Sequence, residues 1–443
     1  MTDRIRSPRI CFYGDDFTGA TDTLATATEA GLRSLLFLRI PDQQQLQAAG
    51  ELDCLGIAGA ARSMAPAAMT AELEPVARFF SSLQAPVTHY KICSTFDSAP
   101  HVGNIGVALS VWRRHIANDF VPIVGGQPNL QRYCVFSNLY AAVNAGGEVF
   151  RIDRHQTMRN HPVTPMHEAN MCAHLQAQQM RVAAVHFPAY DHGAGRLDAE
   201  IDALLGDAPD AVLFDVTDVG DLPVIGAQIW RRAQRQRLLA IGASSVVQAL
   251  CRHWQQTGEL ACDAQAAAVP RIARADGPVL VLAGSLSPVT AQQVRAAVSF
   301  ERVQLDARRL VDGDDDYVAT MLAQVAQLLQ DGRHVLACTA DGMQITGDHV
   351  TYRLAQACGD FLKRLLPRTT VRRIGVAGGD TSSHALKALD IWGLSYLGKL
   401  SAGVALCRAH ADGAREDGLE LMLKGGQMGG EDLFETLVHG TTP

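Results

Sequence analysis

The run CFYGDDFTGATDT, residues 11–23, sets two carboxylates side by side, Asp15 and Asp16, where an apolar segment ends and a helical pattern begins. Like charges that close repel, and Gly or Asn would finish a strand at less cost. One aspartate can cap the helix by accepting N–H groups of its first turn. The other then needs a reason: a carboxylate fixed at a strand end can orient or deprotonate a hydroxyl. The pair is therefore a candidate catalytic centre, against the plainer reading of a cap and a solvated neighbour.

A second stretch, HYKICSTFDSAPHVGNIG, follows another apolar run and offers Lys91, Ser94, Thr95, Asp97, Ser98 and Asn104 within fourteen residues. These are groups that read hydroxyls and carboxylates. Arg62 in GAARSM, and Arg154 between Asp153 and His155, stand at other expected strand ends. Three glycine-rich junctions come later. In AGGDTSSHALKAL, Gly378 and Gly379 let backbone approach a ligand, Asp380 and Thr381 start the turn, and Ser382 or Ser383 can cap the next helix. In LAGSLSPVTAQQV, Ser285 and Ser287 follow Gly284, with Pro288 at a helix's first turn. In LKGGQMGGEDLF, Lys424 precedes Gly425, Gly426, Gly429 and Gly430. Free N–H groups at a helix start suit an anion such as phosphate, although each turn alone could bind nothing. Neither GxxxxGK[ST] nor GxGxxG occurs in them.

The elements that must position these residues read as βαβ units. Short Val/Ile/Leu runs alternate with helical patterns: RICFY, then a helix over Thr18–Glu29, then RSLLFLRI, with later helices at Ala65–Leu83 and Ile105–Ile116. Such alternation implies mainly parallel sheets flanked by helices. The rhythm lapses between Gln255 and Asp276 and resumes at PVLVLAG, which predicts two domains, residues 1–265 and 275–443. In open sheets of this kind, ligands bind outside the carboxyl ends of the strands, where residues distant in sequence converge. Residues 151–170 read as neither strand nor helix, and long loops inside domains are usually functional.

At 443 residues the chain is long for one hydrophobic core. With 47% apolar and 19% charged residues and a mean hydropathy near zero, it reads as globular. A net charge of −7 provides no field to gather nucleic acid or anionic lipid. No apolar stretch is long enough to span a membrane, and the N-terminus lacks a signal-peptide core, so a cytoplasmic location is expected. The ten cysteines form no CxxC pair and are expected as free, mostly buried thiols.

Taken in order, DDFTGATD, KICSTFDS with GNIG, RNHPVTPM, GSLSPVT, GGDTSSHAL and KGGQMGG resemble the four-carbon acid sugar kinases over nearly the whole chain. The resemblance implies a sugar-acid-binding N-terminal domain, an ATP-binding C-terminal domain, and an active site in the cleft between them. It also implies ATP and Mg2+ as requirements and acids such as threonate, erythronate or their 3-oxo forms as substrates. On it, one of Asp15 and Asp16 meets the substrate's hydroxyls, with Asp16 preferred, and the other orients it or caps the helix. Arg62, Lys91, Ser94, Thr95, Asp97, Ser98, Asn104 and Arg154 would bind the acid. Ser285, Ser287, Gly378, Gly379, Asp380, Thr381, Lys424, Gly425, Gly426 and Gly429 would hold the nucleotide, with Asp380 near the metal. Departures, such as His384 where a small residue is common, fall on the nucleotide side. A sugar-acid dehydrogenase of similar architecture and an inactive sugar-acid-binding protein are the alternatives, and a homodimer is an assembly open to it.

Overall fold

Apolar segments that end in glycine or charge become strands. The computed structural model describes residues 7–143, 146–161, 163–261, 271–284, 287–339, 348–426 and 428–441, without the side chains at 348–351 and 380. The chain packs into two units, Met1–Leu35 with Arg39–Ala268, and Leu36–Leu38 with Val269–Pro443. No helix among the described residues is long and apolar enough to cross a membrane. The described cysteines are free: Cys93, Cys172 and Cys338 are partly exposed and the others buried. Cys262 lies outside the described residues.

In the N-terminal half the strands are β1 (Ile10–Gly14), β2 (Ser34–Phe37), β3 (Cys54–Ala58), β4 (Val87–Lys91), β5 (Pro122–Val124), β6 (Arg132–Val135), β7 (Asn138–Ala142), β8 (Val149–Arg151), β9 (Val182–Val185), β10 (Ala211–Phe214) and β11 (Leu238–Gly242). The first unit's sheet runs β3-β1-β4-β11-β5-β10-β9, every pair parallel. Its register sets Ala58, Gly14, Lys91 and Gly242 level at the carboxyl edge. The turns that follow β1 and β3 and the last residue of β4 are therefore neighbours. Behind that edge the rings of Tyr13 and Tyr90 stack at 6.1 Å and those of Phe80 and Trp112 at 5.7 Å, all four buried.

The helix Phe17–Glu29 buries Phe17, Ala20, Leu24 and Ala27 on one face. The helix expected to reach Ile116 ends at Arg113, followed by turn residues. Two further departures are instructive. Residues 151–170, expected without regular structure, hold a 3-10 turn at Ile152–Arg154 and a one-turn helix at Gln156–Arg159. His155 caps that turn, its Nδ1 accepting from Thr157 N at 3.2 Å and Met158 N at 3.3 Å. Strands β6, β7 and β8 form a separate antiparallel sheet. Its first hairpin turns on Phe136 and Ser137, both at positive φ (48° and 63°). Side chains rarely take that conformation. The buried Asp215 carboxylate sustains it, accepting Phe136 N at 2.8 Å and Ser137 N at 2.9 Å.

The second half contributes β12 (Val279–Ala283), β13 (Phe300–Leu305), β14 (His334–Thr339), β15 (Arg373–Ala377), β16 (Ile391–Ser401), β17 (Val404–Ala411) and β18 (Glu420–Lys424). The order β13-β14-β12-β15-β18 is parallel. Strands β17 and β16 continue it antiparallel, and Leu36 and Phe37 of β2 pair antiparallel with Leu394 and Gly393 of β16. Val279, Val281, Leu336, Met422, Phe434 and Leu437 lie in its buried core. Ala283, Ala377 and Lys424 are level on three adjacent strands, so the three glycine-rich junctions share one edge.

Candidate active site

Asp16 is the N-cap of the helix Phe17–Glu29, its Oδ1 accepting Gly19 N at 3.2 Å. Its remaining capacity is taken by cations and a hydroxyl. Oδ2 accepts Thr18 Oγ1 at 2.5 Å and Arg62 Nη2 at 3.0 Å, and Oδ1 accepts Lys91 Nζ at 3.3 Å. Burial alone would raise its pKa, but Arg62, Lys91 and these hydrogen bonds together hold the carboxyl well below its ordinary value. Asp16 is thus a permanent anion that ties two cations to a helix start.

Gly19 makes this possible. A Cβ there would overlap the Lys91 ammonium and stand 2.5 Å from Asp16 Oδ1, so only glycine lets Lys91 pass beneath the first turn. Lys91 and Arg62 both gain basicity from Asp16 and Asp15, against the cost of burial.

Asp15 is built differently. It is 3% exposed, and its buried Oδ1 has no hydrogen-bond partner among the described residues. Its backbone is fixed, its N–H donating to Lys91 O at 3.0 Å and its carbonyl accepting Arg62 N at 3.1 Å. Burial pushes its carboxyl up to about 7; Lys91 and Arg62 oppose the rise, and Asp16 and Asp97 reinforce it. Two adjacent carboxyls driven apart in this way can divide a reaction, one holding charge and the other moving a proton. The sequence reading prefers Asp16 for the substrate and gives the other aspartate the orienting or capping role; the structure corrects that preference, because Asp16 is the cap and both its oxygens are taken.

Among the other candidates, Thr95 donates to Asp97 Oδ1 at 2.6 Å, and Asp97 lies close enough for its charge to act on Asp15 and Arg62. Ser94 is half-buried in the same turn. Ser98 is engaged internally: its hydroxyl donates to Phe96 O at 2.9 Å, lies 2.9 Å from His174 Nε2, and accepts from Gln178 Nε2 at 2.8 Å. Asn104 caps the helix Ile105–Arg113, accepting Val107 N at 2.9 Å and donating to Pro100 O at 3.0 Å. Arg154 is two-thirds exposed and 3.6 Å from Asp153, a surface ion pair.

In the second unit Lys424 is fully buried, and among the described residues no carboxylate pairs with it. Its Nζ donates to Thr290 Oγ1 at 2.7 Å. Burial pulls its pKa down to about 7. An uncompensated buried ammonium is costly, and a phosphate oxygen is a natural counterpart. Ser287 caps the helix Pro288–Ala296 through Thr290 N at 3.1 Å, and its hydroxyl also donates to Gly426 O. Gly378 takes φ +113° and donates its N–H to Lys424 O at 3.0 Å. The helix Gly379–Ala388 starts there, and among the described residues no side chain at Gly378 caps it. Ser382 and Ser383, expected to cap it, instead donate to Val376 O and Gly379 O, at 3.2 and 3.0 Å, because both already lie within the helix. A helix start of this kind suits an anion. Thr381 packs against the neighbouring turn, where a Cβ on Gly284 would lie 2.5 Å from its Oγ1. His384 packs edge-on against Tyr352, ring centres 4.7 Å apart. Ser285 lies outside the described residues, as does the side chain of Asp380. Among the described residues no three His, Cys, Asp or Glu cluster as metal ligands.

Gln293 escaped the sequence reading. Fully buried, its Nε2 donates to the carbonyls of Met428, Gly429 and Gly430 at 3.0, 3.1 and 2.9 Å, clamping the loop after β18. The signal was present: Ser287, Thr290 and Gln293 recur every third residue and so share one helix face. Gly19 had a signal as well, since glycine inside a helix costs about 1 kcal/mol relative to alanine and needs a reason.

Residues 10–250 match the model of a sugar-binding N-terminal domain, and residues 280–434 that of a nucleotide-binding C-terminal domain. The chain is 35% identical to a 3-oxo-isoapionate kinase of Paraburkholderia graminis, covering 97% of this chain and 94% of that protein. It is 30% identical to a 3-oxo-tetronate kinase of Methylobacterium radiotolerans, covering 95% and 96%. In fold it is similar to a crystal structure of a Haemophilus influenzae protein, with a TM-score of 0.70 at 22% identity over 96% of this chain and 98% of that one. Matched by both domain models and by relatives along nearly its whole length, the chain belongs to the four-carbon acid sugar kinase family.

Proposed function

We propose that the protein is an ATP-dependent kinase that phosphorylates a hydroxyl of a small sugar acid, a four-carbon acid or its 3-oxo or branched form. The observation that carries this reading is Asp15: a buried carboxyl with an unpartnered oxygen, poised near neutrality beside two cations that Asp16 already holds. The names of the relatives, kinases of 3-oxo-isoapionate and 3-oxo-tetronate, support the substrate class.

In this reading the first unit binds the acid and the second the nucleotide. Asp15 Oδ1 accepts the proton of the substrate hydroxyl as its oxygen bonds to the γ-phosphorus of ATP. The bond from that phosphorus to the bridging oxygen breaks, ADP leaves, and the proton passes from Asp15 to water. Arg62 and Lys91 donate to the substrate's oxygens, with Thr95 and Asp97 bordering the same turn. Phosphoryl transfer depends chiefly on positioning and charge neutralisation. Lys424 and the N–H of Gly379 serve the phosphates, with Gly378, Thr381, Ser285, Ser287, Gly425, Gly426 and Gly429 around them. Magnesium would arrive on the triphosphate and neutralise its charge, with Asp380 the protein position beside it.

The test is ADP release with ATP, magnesium and a panel of erythronate, threonate, 3-oxo-tetronate and 3-oxo-isoapionate. A kinase releases ADP only when its acid is present and stops when EDTA is added. Reduction of NAD or NADP by the same acids would favour a dehydrogenase, and acid binding with no turnover would favour a sensor.

A further inference from the structure

Three cations act on the surroundings of Cys93: Arg62, Lys91 and Arg132. Asp16 pairs with the first two, at 3.0 and 3.3 Å. Arg132 is half-buried, and among the described residues no carboxylate comes within salt-bridge distance of it. Its Nη1 donates to two carbonyls of its own turn, Leu130 O at 2.5 Å and Gln131 O at 3.3 Å, while its buried Nε has no partner among the described residues. A guanidinium does not deprotonate in a protein, so the charge persists, and a carboxylate would supply both the missing acceptor and the counter-charge.

Its backbone is locked to the carboxyl edge of the first unit's sheet. Gln127 N donates to Arg132 O at 2.8 Å and Arg132 N to Gln127 O at 3.2 Å, tying the start of β6 to the turn after β5. Two residues on, Cys134 and Val216 exchange N–H···O bonds at 2.9 and 3.0 Å, tying β6 to the turn after β10. The small antiparallel sheet therefore lies across strand ends where a ligand of such a sheet binds. Burial works against the charge of Arg132, and nearby Cys93 and Asp97 favour it. Asp97 is the carboxylate that also acts on Asp15.

We propose that Arg132 binds the carboxylate of the acid substrate, while Arg62 and Lys91, already matched by Asp16, hold its hydroxyl and oxo oxygens. This rests on the sugar-acid kinase reading and adds the group that makes the site select an acid over a neutral polyol. A guanidinium suits the task because its paired N–H groups match both oxygens of a carboxylate.

The test compares wild type, Arg132→Gln and Arg132→Lys in the ADP-release assay with the four acids, using neutral erythritol as a competitor and melting curves to confirm folding. In Arg132→Gln the KM for the best acid should rise about 10- to 100-fold, the scale of a lost charged hydrogen bond. Its kcat should change less than about threefold. The KM for ATP and the Ki of erythritol should stay put, and Arg132→Lys should recover part of the loss. An unchanged acid KM in folded Arg132→Gln overturns the proposal. So does an equal loss for acid and erythritol, which would mark a purely structural residue. If wild type releases no ADP with any acid, the kinase reading has failed instead. Calorimetric titration of the same acids into wild type and Arg132→Gln then decides the role of Arg132 by itself, with equal affinities overturning it.

Discussion

Asp15 and Asp16 share a peptide bond and face opposite environments: both oxygens of Asp16 are held by Gly19, Thr18, Arg62 and Lys91, whereas Oδ1 of Asp15 meets no partner among the described residues. Asp15→Asn should lower kcat by on the order of 10²-fold or more, the scale of general base assistance, with the KM for ATP unchanged. Asp16→Asn still caps the helix but releases the buried Lys91 and the partly exposed Arg62, so its main effect should be a raised KM for the acid. Steady-state kinetics of both variants check this, and near-normal kcat in Asp15→Asn would move the base to Asp97.

The same carboxyl ties activity to pH. A base must be deprotonated to act, so kcat/KM for the acid should rise with pH through about 7 in wild type. Stability should run the other way. The folded pKa of Asp15 lies above the unfolded value, so the native state binds the extra proton. Its contribution is complete below about pH 4 and is lost as pH rises through about 7. Asp15→Asn removes this dependence. The variant should gain several °C in Tm over wild type at pH 8 and little at pH 4, while losing turnover at both; melting curves at the two pH values settle it.

Gly19→Ala tests the passage of Lys91 beneath the helix. The added methyl must displace the ammonium or the Asp16 carboxylate, whereas its effect on intrinsic helix propensity is favourable. A folded protein with acid turnover reduced at least tenfold, matching Lys91→Met, is the expected result. Full activity in Gly19→Ala would show that Lys91 does not need its place beside Asp16.

The parallel layers and the strand-end positions of Asp15, Arg62, Lys91, Gly378 and Lys424 were legible because each is signalled locally, by an apolar run ending in a charged or glycine residue. The hairpin at Phe136–Ser137 was not, since its turn carries neither Gly nor Asn and is sustained by Asp215, 78 or 79 residues away along the chain. The internal duties of Ser98 and Asn104 were hidden for a related reason. A hydroxyl or amide in a polar loop reads the same whether it faces a ligand or a helix start. The adjacent aspartates could be located but not assigned, because desolvation and cation contacts depend on Arg62 and Lys91 arriving from other strands.

Lys424 gives the nucleotide site a calorimetric signature. Burial holds its pKa at about 7, so much of it is neutral at pH 8, and a phosphate beside Nζ restores the charge. Binding of ADP at pH 8 should therefore take up a proton, so that the observed enthalpy varies with the ionisation enthalpy of the buffer. In Lys424→Met the uptake should vanish and the affinity fall about tenfold or more. Equal proton uptake in both proteins would place the titrating group elsewhere.

Gln293 tests whether the loop after β18 must be held in shape to bind phosphate. Its amide donates to three successive loop residues' carbonyls, so Gln293→Ala leaves those carbonyls without a buried donor and opens a cavity beneath the loop. Glu in its place would set an acceptor against three acceptors and should do worse. If the loop is part of the nucleotide site, ADP affinity should drop roughly tenfold in Gln293→Ala and further in Gln293→Glu, while sugar-acid binding to the first unit stays unchanged. A loss of thermal stability with nucleotide affinity intact would instead make the clamp a feature of the fold alone. Titration of each variant with ADP and with the acid, alongside its melting curve, separates the two.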